Sequence, residues 1–348
     1  MRAATMRNWE LRVDEVPDPV PGAGQVLTKV LACGICGSDL HMLRFGREMR
    51  DLMSAISAND PDDPSNVIAF EPEHDCVMGH EFCCEVVELG PGVMNLKAGE
   101  RVVSLPGAFD ETGVHAVGYS NRYPGGYGEL MVLNEMIAIP VSDDVSSPIA
   151  ALTEPMAVGV HAVNKSGIVP GDAAIVLGLG PVGLACVAEL KRRGIGPVVG
   201  ADFSAKRRAL AGHFGCDEVV DPNSESAIAA WRRVDGVKPL VVFEAVGMPG
   251  MIDQAMKMSP KGSRVLVVGV CMPQDHLLPM VGITRELSIQ FVFGYTPEEF
   301  VETHRHITAG AWDLSPMITA TVDIDAVPQA FADLGNPDEH AKILVEPA

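Results

Sequence analysis

The apolar run Ala173-Ala174-Ile175-Val176-Leu177 passes directly into Gly178-Leu179-Gly180-Pro181-Val182-Gly183, and no other stretch narrows the fold of this chain as far. A strand, a glycine turn and the start of an apolar helix, in that order, are the context a G-x-G-x-x-G unit needs to hold a dinucleotide. Gly178 makes the tight turn, Gly180 lets backbone approach a pyrophosphate, and Gly183 lets helix and strand pack closely. The helix N-terminus then faces the phosphates with its partial positive charge. Candidate strands at 173–177, 198–201, 218–220, 241–244, 265–268 and 289–293 alternate with helical stretches such as 182–193 and 224–234. That alternation predicts a doubly wound parallel sheet. Asp202 closes the second strand, about 20 residues beyond the glycines, where a carboxylate accepts hydrogen bonds from both ribose hydroxyls of NAD. It would repel the extra phosphate of NADP. Arg207 is a nearby cation able to take a phosphate. With the carboxylate present, Arg207 is expected over the adenine side.

The first half reads differently. Short strand patterns at 11–13, 26–30, 83–89, 101–105 and 130–133 are separated by turns rich in proline and glycine, which predicts an all-β, barrel-like unit. Residues 42–75 break that rhythm, with a short helix expected near 48–56 and a loop at Asn59-Asp60-Pro61-Asp62-Asp63-Pro64. Thr153-Glu154-Pro155 places a capping residue and a proline ahead of an apolar helix reaching about residue 163. After Gly294 the chain is expected to return to the first unit, ending in the strand-like Ala341-Lys342-Ile343-Leu344-Val345. The domains are therefore drawn as 1–152 joined by 295–348, and 153–294.

A chain of 348 residues is long enough for two cores. Its formal net charge of −20 argues against nucleic acid, which needs a basic face. No apolar run reaches the roughly 18 residues of a membrane span, and the N-terminus has no apolar signal segment. A cytoplasmic, membrane-free protein is expected. Eight cysteines without a secretion signal read as reduced thiols. Cys33 and Cys36 form a C-x-x-C pair, but no second such pair follows, so Cys33 is read as structural.

The chemistry concentrates in Gly34-Ile35-Cys36-Gly37-Ser38-Asp39-Leu40-His41. A thiolate suits zinc. A hydroxyl two residues on can meet a substrate oxygen, and an imidazole can pass its proton to water. Together with Gly79-His80-Glu81, Thr153-Glu154-Pro155 and the glycine turn, in that order, this stretch resembles the zinc-containing alcohol dehydrogenase branch of the medium-chain dehydrogenase/reductase family. The resemblance runs from the first strand to Lys342. It implies a GroES-like β-barrel catalytic domain beside a Rossmann α/β domain.

The resemblance also implies that Cys36, His80 and Glu154 supply catalytic zinc ligands, with Glu81 beside them, much as in sorbitol and threonine dehydrogenases. Either glutamate can coordinate. Glu81 reads equally as a carboxylate holding a nearby cation, and Glu154 as a neighbour of a helix cap. Ala245-Val246 and Val268-Gly269-Val270 are expected to line the cofactor groove, with Phe293 near the nicotinamide, although each also reads as strand core. Ser38 would take the alcohol proton and His41 relay it, or His41 would only hold a ribose. The implied activity is hydride transfer between a secondary alcohol or polyol and NAD, helped by zinc as a Lewis acid. Rival readings are a zinc-free reductase of activated double bonds and an inactive nucleotide-binding protein.

Two departures stand out. Leu89–Tyr127 has no cysteine, where many members carry four that hold a structural zinc, so one zinc is expected. The stretch from Cys36 to His80 is long, so residues 43–75 look inserted. Leu43, Phe45, Met49, Leu52, Met53 and Ile56 would give that insert an apolar face over the substrate channel, as a lid. A homodimer or homotetramer is expected, paired through the sheet edge near 289–293.

Overall fold

The computed structural model describes residues 1–57, 70–336 and 338–347. Six parallel strands form one sheet in the order Glu218–Val220, Val198–Ala201, Ala173–Leu177, Leu240–Glu244, Arg264–Val267 and Ser288–Phe291. All five pairings are parallel. The inner strands Ala173–Leu177 and Leu240–Glu244 are buried along their whole length, which is why they read as continuous apolar runs without alternation. Ala173–Leu177, Val198–Ala201 and Glu218–Val220 fall where the sequence expects them, whereas Leu240–Glu244, Arg264–Val267 and Ser288–Phe291 each begin one residue earlier, and the last strand stops at Phe291, short of 293.

A second, mostly antiparallel sheet carries Ala138–Pro140, Arg101–Ser104, Glu81–Leu89, Gln25–Gly34, Lys342–Val345 and Ile318–Val322 in that order, with Leu130–Asn134 also on Gln25–Gly34. The last two of the six come from the end of the chain. Lys342–Val345 pairs with Gln25–Gly34 through Leu344 and Gly34. Glu10–Glu15, Arg2–Arg7 and Cys76–Val77 form a separate small sheet.

The helix expected near 48–56 starts at Gly37 and runs to Ser57, so Ser38 and Asp39 lie in its first turn and Cys36 just before it. Asp39 in that turn complements the positive helix end. Met42 is buried in the β-rich core, and Leu43 and Met49 pack partly against it together with Trp9 and Phe70. This part of the apolar face is engaged by the core rather than turned over a channel. The side chains of Leu52, Met53 and Ile56, and the loop expected from Asn59 to Pro64, lie outside the described residues.

Two helices join the halves. Thr153–Ser166 ends on Gly167 in the left-handed conformation, with φ of 60°. Pro297–Thr308 opens with a reciprocal capping box between Thr296 and Glu299. The Glu299 carboxylate also meets His161 Nδ1 and accepts from Asn164 Nδ2, each at 2.6 Å. These bonds lash the two joining helices together.

Candidate active site

The antiparallel register sets Gly34 opposite Glu81 and Cys33 opposite Phe82. That pairing brings the turn after Gly34 alongside His80 and Glu81. The Cys36 thiol, a His80 ring nitrogen and a Glu81 carboxylate oxygen lie within 4.8 Å of one another. A Cβ on Gly34 would come within 1.9 Å of Glu81 Oε2, so only glycine leaves the carboxylate its place. One thiolate, one imidazole and a carboxylate suit a zinc ion that keeps a position open for water or substrate. Glu154 stands outside this set, in the first turn of Thr153–Ser166, and is 8% exposed. Burial pushes its carboxyl up to about 7, opposed by His80 and Lys342 and reinforced by Glu81. Burial and the nearness of the Glu154 carboxylate raise the pKa of the Tyr295 hydroxyl, which is buried and makes no hydrogen bond among the described residues.

Two buried charged groups complete the centre, and neither was singled out in the sequence. Lys342 Nζ bonds both Glu81 oxygens, at 2.7 and 2.6 Å, and the Ile35 carbonyl at 3.0 Å. Both side chains are 1% exposed. A cation inside the apolar run 341–345 was the available signal, because a buried charge demands a partner. Asp39, fully buried, accepts from Cys36 N at 3.1 Å, Tyr119 Oη at 2.7 Å and Tyr127 Oη at 2.5 Å. Its Oδ1 lies 3.5 Å from His80 Nδ1. Burial works against charge on both groups, but their mutual attraction lifts His80 well above its ordinary value and lowers Asp39. A carboxylate on one imidazole nitrogen frees the other for a metal.

Ser38 Oγ lies 3.0 Å from Tyr119 Oη and forms no hydrogen bond with His41 among the described residues. His41 Nδ1 is buried and makes no hydrogen bond among the described residues. Burial lowers the His41 pKa, opposed by the Val270 backbone and aided by Arg44. The imidazole thus stands against Val270, just beyond the parallel strand Arg264–Val267. His41 therefore stands at the edge of the nucleotide half.

At that edge Gly178 turns with φ of 84°. A Cβ on Gly183 would meet Gly178 O at 1.9 Å, so the close helix–strand approach excludes any other residue. Pro181 and Val182 open the helix Pro181–Arg192, and Gly180 is its N-cap. Asp202 accepts from Leu179 N and Ser204 N, each at 2.8 Å. Arg207 Nη1 stands 3.9 Å from Asp202 Oδ2, and a Cβ on Gly180 would be 3.9 Å from the same nitrogen. Arg207 thus lies over the glycine turn. Ala245, Val246, Val268, Gly269 and Val270 gather at the carboxyl ends of the neighbouring strands, with Val246 against Gly178 and Gly269 against Gly247. Phe293 is 82% exposed, beyond the outer strand. His74, five residues before Gly79, is a surface residue beside Glu71.

A doubly wound sheet with a glycine turn, joined to a β-rich half that clusters thiolate, imidazole and carboxylate, defines a zinc-type nicotinamide dehydrogenase. Sequence comparison agrees: residues 22–143 match the alcohol dehydrogenase GroES-like domain and residues 181–309 the zinc-binding dehydrogenase domain. An uncharacterised zinc-type alcohol dehydrogenase-like protein of Escherichia coli (strain K12) is 30% identical over 91% of this chain and 90% of its own. The chain belongs to the zinc-type alcohol dehydrogenases, and is an oxidoreductase acting on alcohols with zinc and a nicotinamide cofactor. It is 29% identical to (R,R)-butanediol dehydrogenase of Bacillus subtilis (strain 168) over 100% of both chains. The solved structure of the Bacillus subtilis 2R,3R-butanediol dehydrogenase superposes with a TM-score of 0.82, covering 100% of this chain and 99% of that one. A Sinorhizobium meliloti 1021 protein provisionally assigned as a zinc-binding dehydrogenase, bound to NADP, matches with 26% identity and a TM-score of 0.82 over 99% of each chain. No helix among the described residues is long and apolar enough to cross a membrane.

Proposed function

We propose that this enzyme oxidises secondary alcohols or polyols with NAD, using one catalytic zinc and no structural one. The observation that carries the reading is the Cys36–His80–Glu81 cluster with Ser38 in the adjoining helix turn. Cys36 and His80 would hold the ion, with Glu81 or Glu154 as the third protein ligand. Bound there, zinc supplies Lewis-acid polarisation of the substrate oxygen. As Ser38 takes the hydroxyl proton of the alcohol it gives up its own hydrogen, which leaves the site by way of His41. His41, whose lowered pKa keeps it neutral near pH 7 and able to accept, hands the proton to water. Gly178, Gly180 and Gly183 with the helix start at Pro181 hold the pyrophosphate. Asp202 takes the adenosine ribose, which favours NAD. Ala245, Val246, Val268, Gly269 and Val270 wall the groove, and the fixed cofactor aligns the hydride path. The relative that acts on butanediol supports a diol or secondary alcohol.

We divide the chain into a catalytic domain, 1–152 with 295–348, and a nucleotide domain, 153–294, on the membership of the two sheets. Among the described residues the outer strand Ser288–Phe291 has one unpaired edge, flanked by exposed Met280, Ile283, Phe291 and Phe293. An apolar open edge of this kind supports pairing with a second copy, giving a homodimer or a tetramer built from two. Eight free cysteines support a reducing, cytoplasmic setting. The deciding experiment is a screen of NAD-linked oxidation across primary, secondary, cyclic and polyol substrates, run beside metal analysis. Activity confined to secondary alcohols and polyols, lost with the metal, is expected. Full activity in metal-free protein would refute the reading.

A further inference from the structure

The contacts around Ser38 fix more than its position. Tyr119 follows the strand Gly113–Ala116 and reaches across 81 residues of sequence to Ser38, with the two hydroxyl oxygens 3.0 Å apart. A phenol has one hydrogen to give. Tyr119 gives it to Asp39 Oδ1 at 2.7 Å. Asp39 is fully buried, and its other oxygen already receives Cys36 N at 3.1 Å and Tyr127 Oη at 2.5 Å. Both carboxylate oxygens are thus accepting, and neither has a hydrogen to return to Tyr119. In the contact between the hydroxyls, Ser38 must therefore be the donor and Tyr119 the acceptor. The Ser38 hydrogen points inward, and the lone pairs of Oγ are what remain for the substrate.

We propose that Tyr119 is a positioning residue that makes Ser38 a hydrogen-bond acceptor toward the substrate hydroxyl. The inference rests on the reading that Ser38 meets the alcohol. An alcohol O–H can donate to Oγ held this way. A carbonyl, which only accepts, gains nothing until Ser38 releases Tyr119 and turns its hydrogen outward. The bare site is thus biased toward the alcohol. The Tyr119 ring tilts against that of His80, with centroids 5.4 Å apart and planes at 37°. A test must keep the ring and remove only the hydroxyl.

The test measures ligand affinity in the enzyme–NADH complex by NADH fluorescence, where a neutral alcohol binds without reacting. The probes are 2,3-butanediol, which can donate, and dimethyl sulfoxide, whose oxygen accepts and which has no N–H or O–H to give. Tyr119→Phe should weaken 2,3-butanediol by about two- to fivefold, because Ser38 can still accept but is no longer held in that orientation. Dimethyl sulfoxide binding should stay unchanged or tighten, because the Ser38 hydrogen is now free. Zinc content should match wild type. Equal weakening of both probes, or no change in either, would overturn the proposal. Ser38→Ala is a second route that leaves Tyr119 in place. It should weaken 2,3-butanediol by about five- to tenfold, as expected for one lost hydrogen bond, and spare dimethyl sulfoxide, and the double variant should be no weaker than Ser38→Ala alone. If Ser38→Ala weakens dimethyl sulfoxide as strongly as the diol, Ser38 is a donor and the proposal fails. If Ser38→Ala leaves diol affinity and turnover intact, Ser38 does not meet the alcohol and the functional reading falls with it.

Discussion

At the scale of single residues, this site is held by buried charges with defined partners. Glu81 and Lys342 are both 1% exposed, so removing one leaves the other charged in a dry interior. Lys342→Met should destabilise the protein by about 3–5 kcal/mol, the usual cost of orphaning a buried ion. Urea unfolding would measure it, and a loss under about 1 kcal/mol would show that Glu81 finds another partner. Asp202 makes a different kind of contribution. Its oxygens already accept from Leu179 N in the glycine turn and from Ser204 N in its own loop, so the carboxylate is fixed before any ribose arrives. Wild type should prefer NAD to NADP in kcat/KM, and Asp202→Ala should shrink that preference by about tenfold, since hydrogen bonds to a charged group are worth about 1.5–3 kcal/mol. An NADP-preferring wild type would instead make Arg207, poised over the glycine turn, the dominant group.

At the scale of elements, the junction between the joining helices carries a pH dependence. His304, on Pro297–Thr308, is 4% exposed and meets Thr153 Oγ1 at 3.1 Å. Burial depresses its pKa below 6.5, with the Pro140 backbone opposing. The unfolded chain therefore binds this proton more readily than the folded one, so stability rises with pH across that window. The contribution is complete above about pH 6.5, the ordinary histidine value, and is lost as pH falls through the depressed value. Melting temperatures at pH 7.5 and 5.5 should differ less for His304→Gln than for wild type. An identical difference in both proteins would remove His304 from the balance.

For the whole molecule, metal content and assembly are the measurable quantities. The purified protein should contain one zinc per chain by elemental analysis, and Cys36→Ala should lose it together with activity. Two tightly held zincs would contradict the single-site reading. Among the described residues, the region without cysteines instead closes on Asp110, which accepts from Thr112 and from Tyr123 and pairs with Arg122. Phe291 is 65% exposed on the open sheet edge. Phe291→Lys should lower the sedimenting mass toward that of a monomer while zinc content holds. A variant with unchanged mass would place any subunit contact elsewhere.

Much of this was legible in the chain alone, and the dividing line is physical. The parallel sheet, the glycine turn and the Asp202 position are local patterns: strand, turn and helix follow within a few residues, and only glycine fits at 183. The candidate ligand types were legible too, because thiolate, imidazole and carboxylate declare their chemistry wherever they sit. Helix extent was less so, since the start at Gly37 depends on Met42, Leu43 and Met49 docking on the β-rich core. The partners of the site were beyond reach. Lys342 meets Glu81 across 261 residues and Tyr119 meets Ser38 across 81, and only the strand register and the return of the chain end bring such pairs together. The sequence by itself determined which groups could do the chemistry. The tertiary structure decided which of them are held, and by whom.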